Sequence, residues 1–178
     1  GRAYDNAHDE YSYINIDKAN FTLNGNGNTI NANGCEVFDI HIPNVTINNL
    51  FIVNAKSVSY GAAVSNMGGE LTLNNVTFVN NTAQTGGAVY TIGVLNANNV
   101  KFINNYASSG GCDINLAGTT LNMYNCSFTS DRGIIHSLIK GEDNSVVNAD
   151  SCVFYNTTSR YATAMSNVKN TYIRNSYD

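Results

Sequence analysis

The sequence predicts an all-β chain wound as a right-handed parallel β-helix, and three observations predict it. A pattern of apolar and polar positions recurs in five copies spaced 24 to 26 residues apart. Within each copy the apolar residues alternate with polar ones, which is the period of a strand and not of a helix. Asparagine or glycine recurs wherever that alternation is interrupted.

Phe78 serves as the marker of the repeat. Its equivalents are Ile52, Phe102, Phe128 and Phe154, at steps of 26, 24, 26 and 26 residues. Seven residues before the marker stand Val45, Leu71, Leu95, Leu121 and Val147, and five before it Ile47, Leu73, Ala97, Met123 and Ala149. Two before it are Leu50, Val76, Val100, Cys126 and Cys152. These positions make two short strands joined by a sharp bend. A third strand follows about ten residues on, at Ala63, Ala88, Cys112, Leu138 and Ala164. Turn residues introduce it in SYGAAVS, QTGGAVY and SSGGCDI. Three strands and three bends complete one coil, and parallel crossovers are right-handed almost without exception. The expectation is about six coils of 24–26 residues over 19–178, breaking off in mid-repeat, with residues 1–18 as an N-terminal cap.

Successive coils of this fold lie about 4.8 Å apart, so each residue sits over its equivalent. Three residues before the marker stand Asn49, Asn75, Asn99, Asn125 and Ser151. This column falls at the bend, where Asn tolerates the left-handed backbone. Its side-chain amides are also placed to hydrogen-bond along the axis as a ladder. Asn54, Asn80, Asn104, Ser130 and Asn156 form a similar column after the marker. The asparagines are therefore read as structural and not as a binding motif.

Composition narrows the function. Only 12% of the 178 residues are charged, about half the usual share. With a net charge of −4 and no basic run, nucleic acid is not an expected partner. No apolar run approaches the ~20 residues of a membrane span, so this segment is not expected to cross one. Gly1 reads as the start of an excised stretch, so flanking domains are expected.

The motif GGAVY (Gly86 to Tyr90) followed by FINN (Phe102 to Asn105) resembles the repeat of chlamydial polymorphic outer-membrane proteins. The fuller pattern, NFTLNGNGNTINANG, then NVTINNL and LTLNNVTFVNNTAQTGGAVY, is more similar to the adhesin-like proteins of methanogenic archaea. The resemblance covers about Asn20 to Asn175. It implies an extracellular, anchored, multi-domain surface protein whose β-helix is a stalk or an adhesive module. Two copies depart from it: GGCDI places Asp113 where the aliphatic is expected, and HSLIK loses both glycines.

Parallel β-helices also carry polysaccharide-acting enzymes, so a catalytic site is an alternative expectation. A glycosidase needs two carboxylates roughly 5 to 10 Å apart. Asp39 and Asp113 lie near the third strand but three coils apart, ~14 Å. Glu142 and Asp143 adjoin each other in the turn GEDNS. The pectate-lyase RxPxxR motif is missing, since the only proline is Pro43. The enzyme alternative would place catalysis at Asp131, Arg132 and His136 in SDRGIIHS. His136 would be the base and Arg132 would hold an anionic sugar. An exposed loop with ordinary charges is the reading adopted. No cofactor or metal is expected, because no two of His8, His41 and His136 have ligand spacing.

Cys126 and Cys152 share a core column in successive coils, within disulfide distance of one another. Their side chains should point the same way, so stacked thiols filling the places of Val76 and Val100 are the reading. Such thiols suit an anaerobe, which the archaeal resemblance implies. Sequons at Asn20, Asn44, Asn80 and Asn156 are candidate glycosylation sites, whereas those at Asn75 and Asn125 should be blocked by the ladder. In the third strand Val64, Val89, Asp113, Ile139 and Met165 form a column between inward residues. Facing out, it would be an apolar stripe beside Tyr60, Tyr90, Tyr106 and Tyr161, suited to sugar rings or protein. Alternatively, loops or a neighbouring domain cover it.

The expectation is a non-catalytic segment of a cell-surface adhesin-like protein. It would present a rigid surface to glycan or protein on another cell. A polysaccharide lyase or glycoside hydrolase on the same fold, and a purely structural stalk, are the alternatives.

Overall fold

The computed structural model describes residues 13–131, 136–155 and 165–174. Among these residues there is no helix, and every strand pair is parallel. Most strands fall on three faces, and the short strands Thr82–Ala83 and Tyr106–Ala107 pair apart as a two-stranded sheet. The first two faces share one eleven-stranded sheet, folded along a bend. In the early coils a single long strand covers both faces, as in Val45–Val53 and Leu71–Val79. Later coils break there, giving Leu95–Asn98 then Lys101–Ile103, and Thr120–Tyr124 then Ser127–Thr129. The third face runs Ile14–Ile16, Phe38–Ile40, Val64–Asn66, Val89–Thr91, Ile114–Ala117, Ile139–Glu142 in that order. The chain is a parallel β-solenoid of about six turns, as the repeat predicts.

The in-register apolar columns make the core. Leu71 pairs with Leu95 and Leu95 with Leu121, and all three are fully buried. The marker phenylalanines stack ring upon ring, with centroids 5.3 Å apart for Phe78 and Phe102, 4.7 Å for Phe102 and Phe128, and 4.6 Å for Phe128 and Phe154. Burying one such side chain contributes about 2–3 kcal/mol, and a ring pair adds on the order of 1 kcal/mol. Val76, Val100, Cys126 and Cys152 lie buried in the equivalent places. The four cysteines remain thiols. Cys126 is pushed up from its usual titration range by its hydrogen bond to Cys152 and by burial. The same hydrogen bond draws Cys152 down.

The bends explain the asparagines. Asn49, Asn75, Asn99 and Asn125 all hold left-handed backbone, with φ of 53°, 55°, 54° and 53°, and Ser151 follows them at 58°. Asn54, Asn80 and Asn104 do the same at the next bend. The amide ladder forms only in part, as two separate links: Asn75 Nδ2 donates to Asn49 Oδ1 at 2.7 Å and Asn125 Nδ2 to Asn99 Oδ1 at 2.6 Å, while among the described residues no amide bond joins Asn99 to Asn75. At the third bend Gly86 is left-handed, with φ of 65°. Its neighbour Gly87 meets a different constraint, since a Cβ there would lie 2.2 Å from the Cys112 carbonyl oxygen of the next coil.

The third face differs from expectation in register. Ile114 pairs with both Val89 and Ile139, so the aliphatic position is kept and Asp113 occupies the place of Ala88. From marker to aliphatic there are 11 residues in Phe78 to Val89 but 12 in Phe102 to Ile114. One extra residue in the preceding loop accounts for the shift. Met165 also departs. Its strand, Met165–Lys169, joins the first face beside Val146–Asp150 and not the third. At the other end Ile14–Ile16, within the expected cap, already pairs with Phe38–Ile40. Among the described residues no helix is long and apolar enough to cross a membrane.

Candidate binding face

Val64, Val89, Asp113 and Ile139, four residues of the stripe proposed from sequence, are not on the surface. Val64, Val89 and Ile139 are 0% exposed and Asp113 is 1% exposed. The cause is the bend, which defeats strict alternation: Ala62, Ala63 and Val64 are buried in succession. A slip of one residue reverses every side chain of a strand, and the outward column is the next one, at Asp39, Ser65 and Tyr90. Tyr90 is half-buried there and its ring lies 4.5 Å from that of Tyr60. Tyr106 is half-buried and packs against the core.

Asp131 is exposed, and its backbone N–H donates to Asn104 Oδ1 at 2.9 Å. His136 is half-buried. Arg132, Asn156, Tyr161, Ala164 and His8 lie outside the described residues. Asn20 and Asn80 are exposed, each at a left-handed bend. Asn44 is exposed too, but its Nδ2 donates to Asn20 Oδ1 at 2.9 Å.

Asp113 belongs instead to an internal polar seam. Asn81 Nδ2 donates to Asn105 Oδ1 at 3.0 Å, and Asn105 Nδ2 to Asp113 Oδ1 at 2.9 Å. Burial pushes the Asp113 carboxyl up to about 8, and the Asn105 hydrogen bond pulls against it. The seam satisfies backbone groups of neighbouring coils as well, accepting from Ala55 N–H and donating to the Ile52 and Phe78 carbonyls. Its place deep inside the coils makes it structural.

The outward positions of the first face carry a different arrangement. A row of side-chain amides runs up the axis: Asn167 Nδ2 donates to Asn148 Oδ1 at 2.7 Å, Asn148 to Asn122 at 2.9 Å, and Asn122 to Asn96 at 3.0 Å. Asn96 ends the row on Glu70 Oε1 at 2.7 Å. Two residues along each strand runs a second row, in which Asn98 donates to Asn74, Asn74 to Asn48 and Asn48 to Asn24, each at 2.9 Å. Above Asn98 the second row continues as Tyr124, Asp150 and Lys169. Between the two rows lies an open groove of about 520 Å³, running from Thr72 to Asn167. Tyr124 stands in it with 54% of its surface exposed. The sequence carried a signal for these rows, Asn96 and Asn98 at alternate residues of LNANN with Asn122 and Asn148 in the column of Asn96, and the bend column alone does not reveal it.

Compared with known proteins, the chain matches no family model, no curated protein and no solved structure.

Proposed function

We propose that the chain is a non-catalytic adhesive segment of an extracellular, cell-surface protein, binding glycan or protein on another cell through a rigid face of the solenoid. The observation that carries this reading is the amide-lined groove on the first face, whose side chains are held in place by coil-to-coil hydrogen bonds. A preorganised polar face loses little side-chain entropy on binding. The exposed sequon asparagines Asn20 and Asn80 suit an extracellular chain. The resemblance to archaeal adhesin-like proteins supports the same reading.

The test is adhesion. Beads coated with the chain should bind a glycan array or intact cells, and binding should compete with soluble chain. Beads that bind neither would contradict the reading. Incubation with uronate and neutral polymers, watched for new reducing or unsaturated ends, tests the enzyme alternative. Activity lost in His136→Ala would overturn the adhesive reading.

A further inference from the structure

We infer that the groove on the first face takes a linear neutral polysaccharide, laid along the solenoid axis. This rests on the adhesive reading and names the ligand class and the residues that would hold it.

A side-chain amide has two N–H donors and two carbonyl lone pairs. In the row Asn96, Asn122, Asn148, each amide gives one donor to the coil below and accepts one bond from the coil above. One N–H and one lone pair per side chain are left over. They recur at each coil, ~4.8 Å apart. A paired donor and acceptor, both neutral, complements a sugar hydroxyl, which also donates and accepts.

The dimensions agree. Residues two apart on a strand stand ~6.6 Å from one another on the same face, about the width of one sugar ring. From Thr72 to Asn167 the groove crosses five coils, or about 19 Å along the axis at the inter-strand spacing. Pyranose units in an extended glycan repeat at nearly that spacing, so about four units fit, close to one per coil. Tyr124, projecting into the groove, offers an aromatic face to the apolar side of a ring.

Charge selects the class. The groove lining carries one acid, Asp150, and one base, Lys169, both toward the last coils. A uronate or sulfated chain would bring a negative charge at each repeat and would find a single cation. A peptide adding itself as a strand needs a sheet edge, and this groove lies on a sheet face whose backbone groups are already paired.

The experiment is calorimetric titration of the chain with linear neutral gluco-, manno- and galacto-oligosaccharides of two to six units, and with a uronate oligomer. Affinity should rise with length to about four units, then level off, and stay unchanged between low and high salt. Tyr124→Ala should weaken binding roughly tenfold. Asn122→Leu should abolish it, and Asn48→Leu, which breaks the second row below the groove, should leave it intact. No binding of any neutral oligomer, binding only of the uronate, or wild-type affinity in Tyr124→Ala would overturn the assignment. If beads coated with Tyr124→Ala adhere as wild type does, the adhesive reading stands and the groove is the wrong place.

Discussion

At the scale of single residues, one inserted position decides the fate of Asp113. Counting from Phe102 places it with Val89, yet the longer loop in its coil sets it where Ala88 stands, inside the solenoid. Its carboxyl, ordinarily near 3.8, is raised to about 8, first by burial and against the pull of Asn105. The folded chain therefore holds a proton that the unfolded chain releases between those values. Stability is greatest below the lower value and falls as pH rises from ~4 to ~8, by on the order of 1 kcal/mol per pH unit. Urea midpoints at about pH 5 and about pH 8 should show that fall in the wild type and little of it in Asp113→Asn. Equal slopes in the two proteins would contradict the burial of Asp113. The asparagines at the bends needed no such correction. Their left-handed φ follows from the residue type and its column, and the amide bonds form at two of the steps, Asn49 to Asn75 and Asn99 to Asn125.

Among the elements, the strands of the first two faces were legible and those of the third were less so. The first two carry four inward residues at fixed offsets, and Leu71, Leu73, Val76 and Phe78 are all fully buried. Alternation gives their direction without ambiguity. The third strand is three or four residues long and enters through a bend that buries successive side chains, so period two could not orient it. The glycine pair of QTGGAVY was legible as a turn, but only the stacked coils show that its two members serve different ends. Gly86 supplies the left-handed turn, and Gly87 lets the Cys112 carbonyl of the next coil approach. Gly87→Ala should destabilise the chain by about 3 kcal/mol through overpacking. Thermal or urea unfolding checks this, and a loss under half a kilocalorie would contradict the close approach.

For the whole molecule, register is the cause of both stability and the groove. Each coil contacts chiefly its neighbours, so stability accumulates as a sum of coil interfaces. The same stacking aligns side chains that are 24 or 26 residues apart, turning scattered asparagines into continuous rows. The sequence made the repeat plain. It did not make the groove plain, because the rows begin and end at different coils: Thr72 stands below Asn96, and Tyr124 above Asn98. The last coil is shorter as well, with Phe154 paired to Ile173 only 19 residues on, a change that the five regular copies do not foretell.

The most direct test is a nuclear Overhauser measurement on isotope-labelled chain, directed at the side-chain amide protons of Asn122, Asn148 and Asn96. In-register stacking predicts strong contacts from Asn122 to both of the others, each 26 residues away. Contacts confined to neighbours in sequence would contradict the stack, and with it the groove.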